Sequence, residues 1–283
     1  MIGRSETMTS NAFDVGLPPP SAGWQVLAWQ GFSLSVPDVW NVTYHREEDK
    51  AGALALADLR GVRLEIRWQV YRRRSLARTT AKMLRRLDKR GAKVYPLPEP
   101  LPEGLTGYHV VHEQASMVLL VGPRRIYELN WPEAAPNLQP IALSFHDHSP
   151  AEQWPWQIYG ATGLVPRNFK LKKIVLQPGG TRLEFRRYGR QIVVGSWSMA
   201  QRLLGDKSLQ EFAQAQIPLV KNNPAGVWQE QAGAATFQVR KTSLLLRRRQ
   251  TQTLFLNHHS ESNTIRWRQE VAPAGKVERR DHV

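Results

Sequence analysis

The sequence predicts an α+β fold of two similar domains, each an antiparallel sheet flanked by helices. Three observations carry this expectation. Landmarks recur: Trp24-Gln25-Val26 leads to Val36-Pro37, and Trp156-Gln157-Ile158 leads to Val165-Pro166. At matching distances beyond each Val-Pro, extended segments begin at Ala53 and Arg182 and end in Gly61 and Gly189. Each half also holds a Leu-Asn pair, Leu129-Asn130 and Leu256-Asn257. The period of about 130 residues is the size of a whole domain and too long for a solenoid unit. The second observation is strict apolar–polar alternation, and the third is a serine-headed helical segment that follows the extended pair in each half, near Ser75 and Ser208.

The first domain is expected over 22–149, behind a disordered leader at 1–21. Val62-Arg63-Leu64-Glu65-Ile66-Arg67-Trp68-Gln69-Val70 alternates without a fault, the mark of a strand with one buried face. Leu64, Ile66 and Trp68 point inward in this reading, Arg63, Glu65 and Arg67 outward, and 53–59 supplies a partner strand. Ser75 is expected to cap a helix running to Arg90, with Gly91 in the left-handed position that ends it. Leu76, Thr80, Met83, Leu84 and Leu87 form its apolar stripe at spacings of three and four. Arg78, Lys82, Arg85, Arg86 and Lys89 form a basic stripe on the other side. Four alternate prolines make 95–102 an extended loop outside any central strand. Strands are expected at 108–113, 116–121 and 125–131, and a short closing helix at 138–145.

A linker at 150–155 leads to the second domain, expected over 154–271. Strands are read at 182–188 and 191–197. Ser208-Leu209-Gln210-Glu211 is a capping box, in which serine and glutamate satisfy each other's backbone donors at a helix start. That helix ends near Pro218. Basic charge here sits on strands: Arg182, Arg186, Arg187 and Arg190, then Arg240-Lys241, Arg247-Arg248-Arg249, Arg266 and Arg268. The tail at 272–283 is polar and expected to be disordered.

Phe32-Ser33-Leu34-Ser35-Val36-Pro37-Asp38-Val39-Trp40 resembles the opening strand and Pro-x-x-Trp of a family. That family includes PsbP, the extrinsic photosystem II subunit, the Ran-binding Mog proteins and the bacterial DcrB-like proteins. Ile141-Ala142-Leu143-Ser144-Phe145 is similar to its closing helix. In the second copy, Leu164-Val165-Pro166-Arg167-Asn168-Phe169 has Phe in place of Trp, and no Ser-Phe ending is visible. The resemblance covers 22–149 and 154–271. It implies tandem PsbP/Mog-like domains of an α/β/α sandwich type, and binding as an adaptor or accessory protein. It supplies no catalytic residue.

At 283 residues and 41% hydrophobic content, each domain can bury its own core. No run approaches the ~18 apolar residues of a membrane span, and the N-terminus lacks the apolar core of a signal peptide. There is no cysteine, which excludes disulfides, thiolate metal sites and thiol nucleophiles. A cytoplasmic location is expected. The net charge of +15 is unevenly spread. Residues 1–153 hold 18 Lys and Arg against 16 Asp and Glu, while 154–283 hold 21 against 8. Within the first half, 60–93 alone hold 13 basic and 2 acidic residues. Such asymmetry points to an acidic partner.

Motifs of chemistry are sparse. His146-Asp147-His148 and His258-His259 are candidate clusters, but zinc needs three or four convergent ligands. His109 and His112 fall on opposite faces of one strand. No His-Glu-x-x-His helix, phosphate loop or Gly-x-Ser-x-Gly elbow occurs; Gly195-Ser196-Trp197-Ser198 lacks the second glycine. Glu47-Glu48-Asp49 reads as a solvated loop run. The expectation is therefore no metal, no cofactor and no catalysis. The chain is read instead as a binding or assembly protein docking an acidic protein partner through Arg78, Lys82, Arg85, Arg86, Lys89, Arg182, Arg186, Arg247, Arg248 and Arg249. Arginine outnumbers lysine 28 to 11, and its planar fork suits carboxylates at interfaces. The alternative is sequence-nonspecific binding of nucleic acid. Against it, Trp267 lies between Arg266 and Arg268 on an alternating strand. Ring and cations then take opposite faces, where single-strand binding wants them together.

Overall fold

The computed structural model describes residues 13, 15–18, 20–48, 50–98, 100–112, 115–131, 139–231, 233–243 and 248–273. Contacts divide the chain into one unit of Pro18–Trp154 and another of Pro155–Val283 with Met1–Leu17.

In the first unit, β1 (Trp24–Trp29) and β2 (Phe32–Pro37) form a hairpin, with Trp29 opposite Phe32. The two turn residues, Gln30 and Gly31, have φ of 43° and 83°, the left-handed pair whose twist matches the strands it joins. Gly31 is required twice over, because a Cβ there would lie 2.9 Å from the Trp154 indole. Next come β3 (Asn41–Glu47), β4 (Ala51–Asp58), β5 (Gly61–Val70) and α1 (Arg73–Lys89). The unit continues through β6 (Lys93–Pro96), β7 (Thr106–His112), β8 (Ala115–Val121), β9 (Arg125–Trp131), α2 (Gln139–Leu143) and β10 (His146–Asp147). Seven of these strands make one antiparallel sheet in the order β3-β4-β5-β9-β8-β7-β6. Because paired residues share a face, the register sets Trp68, Tyr127, Ile66 and Leu129 on one side. There Phe32 meets Trp68, Tyr127 and Phe145 at ring separations of 5.3, 5.8 and 5.4 Å. The hairpin and α2 thus close one face of the sheet. On the other face Leu87 of α1 shares a cavity wall with Val110 and Met117.

The second unit holds β11 (Gln153–Ile158) from Pro155 onward, β12 (Ala161–Pro166), β13 (Lys170–Gln177), β14 (Gly180–Arg187) and β15 (Arg190–Ser198). Three short helices follow, α3 (Ala200–Leu204), α4 (Leu209–Gln216) and α5 (Pro218–Lys221). Four strands complete it: β16 (Val227–Gln231), β17 (Ala234–Ser243), β18 (Arg248–His259) and β19 (Thr264–Pro273). The sheet order is β13-β14-β15-β19-β18-β17-β16, position for position that of the first unit. Tyr159 and Gly160 (φ 48° and 79°) join β11 to β12 as Gln30 and Gly31 join β1 to β2. Trp156 then meets Phe185 on one sheet face at 4.7 Å. Leu209, Phe212, Ala213, Ile217, Leu219 and Val220 cover the other, against Val193, Phe237, Leu254, Leu256 and Trp267.

The expected α+β class is corrected. Strand takes 56% of the described residues and helix 16%, so each unit is a large antiparallel sheet with minor helical cover, not a helix-flanked sandwich. Four strands that no alternation marked, β3, β6, β13 and β16, lie at the edges of the two sheets. β3 and β13 are exposed along most of their length, so no buried face imposed alternation on them. β6 ends in Pro96, tolerated because an edge strand spares that donor. The closing helix is five residues, α2, not eight. Nor does Ser75 cap α1: the helix starts at Arg73, and the Ser75 hydroxyl donates to the Arg72 carbonyl at 2.8 Å. The recurring landmarks also divide. Val36-Pro37 and Val165-Pro166 end corresponding strands, whereas Leu129-Asn130 lies on β9 and Leu256-Asn257 on β18, which hold different places in their sheets.

Candidate interaction faces

Helix α1 carries the densest charge. From 72 to 90 the chain has nine Lys and Arg and one acid, Asp88. Arg78, Lys82, Arg85, Arg86 and Lys89 are all exposed, as their spacing opposite the apolar stripe requires. Among the described residues no carboxylate lies in ion-pair reach of any of them. The stripe beneath is shallow: Thr80 is buried, whereas Leu76, Met83, Leu84 and Leu87 are half-buried. Gly91, at φ 81°, ends the helix and donates to the Asp88 carbonyl.

The arginines of β14 are held differently. Arg182, Glu184 and Arg186 share one face, with Glu184 only 6% exposed. Its carboxylate accepts from Arg182 at 2.5 Å and lies 4.0 Å from Arg186. Each arginine still presents about half or more of its side chain to solvent, but part of their charge is already matched. Arg247 lies outside the described residues. Arg248 and Arg249 stand on β18 opposite Ser243 and Thr242, and their side chains lie outside the described set.

Two further arginines prove internal. Arg268 is buried, bonded to Glu270 at 2.6 Å and donating to the Leu164 carbonyl of β12. Arg125 does the same service in the first unit, donating to the Gln30 carbonyl at 2.5 Å and lying over the Trp154 ring at 4.8 Å. Each thus ties a hairpin to its own sheet. Burial also pulls the Arg266 guanidinium below its ordinary pKa.

His146 and His148 stack at 6.3 Å. His148 shares a 2.9 Å hydrogen bond with the buried Ser33 hydroxyl. Burial, aided by the His146 charge and opposed by Asp147, holds the His148 pKa below its ordinary value. Asp147 accepts from Tyr127 at 2.7 Å and from the Ser149 amide at 2.8 Å. The Tyr127 phenol is raised well above its usual range by burial and then by Asp147. Among the described residues no three His, Asp or Glu side chains converge on a metal position, and no helix is long and apolar enough to cross a membrane.

Two grooves lie on the sheet faces, the second with the sequence-read Arg182 in its lining. On the helix-side face of the first sheet, a trough of about 580 Å³ runs over Ala51, Ala53 and Ala55. Arg46, Arg67 and Glu128 wall it, the last with its pKa raised by burial against the opposing pull of Arg67. The corresponding part of the second sheet holds a groove of about 480 Å³ bounded by α4 and α5. Its floor is Trp267 and Trp197, stacked at 5.2 Å and 24°. The first groove is built mostly from the consecutive strands β3, β4 and β5. The second has no local sequence signal, because its residues come from β13–β15, α4–α5, β18 and β19, far apart in the chain.

No protein-family model and no curated protein matches the chain. Among solved structures, the Ran-binding protein Mog1p of Saccharomyces cerevisiae is similar at 12% identity and a TM-score of 0.29. That match covers 44% of this chain and 78% of Mog1p. A point mutant of protein Mog1 matches at 13% identity and 0.29 over 44% and 79%. The immunity protein TplEi of the T6SS from Pseudomonas aeruginosa matches at 10% identity and 0.28, covering 90% of this chain and 89% of its own.

Proposed function

We propose that the chain is a non-enzymatic binding protein, built from two copies of one β-rich unit, that docks an acidic protein surface through α1. The shared strand order supports the duplication. One observation carries the docking: five exposed cations stand on one helix side with no carboxylate partner among the described residues. Elsewhere the chain does pair its arginines, Arg63 with Asp58 at 3.0 Å, Arg67 with Glu65 at 3.0 Å and Arg182 with Glu184. Salt at physiological strength screens charges largely beyond ~8 Å, so neighbouring cations on α1 still repel, and an acidic partner relieves this. Arg182 and Arg186 contribute second, through the parts of their side chains that Glu184 leaves to solvent.

Affinity capture with and without nuclease tests this reading, with Arg78→Gln/Lys82→Gln/Arg85→Gln as control. A partner retained after nuclease and lost from the triple variant supports acidic-protein docking. Loss of all bound material on nuclease treatment overturns it in favour of nucleic acid, whose binding rests on phosphate contacts.

A further inference from the structure

We propose that the groove between the second sheet and α4–α5 is a binding site for a neutral saccharide. This goes beyond docking through α1 and does not depend on it. The lining is amide-rich. Gln252 and Gln269 rise from β18 and β19 beside the two indoles, and Gln177, Gln216 and Asn222 stand at the rim. None of these carboxamides is held by a side-chain hydrogen bond to another described residue. Each therefore offers both a donor and an acceptor. Trp267 is buried with its indole N–H unpartnered, and Trp197 is half-buried. The volume of about 480 Å³ falls in the range of small-molecule sites, roughly 300–1,000 Å³.

Charge narrows the ligand class. The unit is strongly basic, yet the groove holds a single cation, Arg182, whose guanidinium is engaged by Glu184 at 2.5 Å. The Arg182 charge is offset by Glu184, so the groove offers an anion no net positive charge, although half of the Arg182 side chain stays open to solvent. A wholly apolar ligand would strip water from five carboxamides without replacing their hydrogen bonds, which is costly. A peptide strand is recognised by main-chain pairing at a sheet edge. This groove lies on the sheet's face, where the β14, β15 and β19 backbones are already paired with one another. What remains is a ligand with one flat C–H face for the accessible part of the half-buried Trp197 indole and a ring of hydroxyls for the amides. Pyranoses have that form.

The test titrates the full chain with cellotriose, maltotriose and chitotriose, following indole and carboxamide signals by NMR. Triglycine and a sulfated trisaccharide serve as controls. The expected result is saturable binding of at least one neutral trisaccharide at about millimolar Kd, perturbing Trp197 and Gln252. Gln216→Ala with Asn222→Ala, both exposed, should weaken it about tenfold, which corresponds to about 1.4 kcal/mol, with the fold intact. No perturbation by any neutral sugar overturns the proposal. So does binding that survives the double substitution, or preference for triglycine or the sulfated sugar. None of these outcomes bears on α1.

Discussion

The two seven-stranded sheets have the same strand order, yet their helical cover is seated in opposite ways. In the first unit one long helix, α1, lies on the sheet with Thr80 as its one fully buried side chain among those described. In the second, α4 is less than half as long and buries Leu209, Phe212 and Ala213. A helix bearing nine cations between 72 and 90 cannot sink far without stripping water from charge, which costs far more than a few leucines return. With Gln210, Gln214 and Gln216 on its polar side, α4 meets no such limit. The same scaffold thus gives one unit a presented helix and the other a packed one.

Core truncation sharpens this contrast most. Phe212 is 3% exposed and meets Trp197 edge-on at 5.3 Å, so Phe212→Ala is expected to cost about 3–5 kcal/mol. Leu84 is half-buried, and Leu84→Ala should cost only about 1 kcal/mol. Urea unfolding of the two variants checks the ratio, and equal losses would place α1 as firmly in its core as α4.

Helix starts give a smaller difference. Ser208 accepts from the Glu211 amide at 3.2 Å while Glu211 accepts from the Ser208 amide at 2.8 Å. Ser208→Ala should therefore cost about 1 kcal/mol. Ser75→Ala should be nearly silent, since its hydroxyl donates to a carbonyl and satisfies no helix donor. Thermal midpoints of the two variants report this directly.

These helices also show what sequence could and could not reveal. The capping box and the two sides of α1 are written in consecutive turns, so local spacing was enough to find them. β5 was equally legible, because Leu64, Ile66 and Trp68 all enter the core and enforce alternation. β3 and β13 have no such constraint. The pairing of Arg182 with Glu184 could have been read from its period of two, yet that Glu184 would be buried could not. The groove was beyond reach, since Gln177, Gln216, Gln252 and Gln269 meet only once β19 has inserted beside β15.

Acid should affect the first unit through its histidines, the smallest of these effects. Burial lowers the pKa of the half-buried His148, and partial desolvation lowers that of His45 on the largely exposed β3. Below the ordinary histidine value of about 6.5 the unfolded chain therefore binds more protons than the folded one. Stability is then complete above that value and falls as pH drops toward the folded pKa. Thermal scans from neutral to mildly acid pH should show the decline, and His45→Gln with His148→Gln should flatten it. An unchanged slope in the double variant would assign the decline to other groups.

The central claim is that α1 is a docking face rather than part of the fold's internal charge balance. Arg78→Gln/Lys82→Gln/Arg85→Gln separates the two when partner capture after nuclease and thermal stability are measured on the same preparation. The account predicts loss of the captured acidic protein with stability unchanged within about 0.5 kcal/mol, because exposed charges contribute little to folding. Undiminished capture, or a loss of several kcal/mol in stability, would contradict it.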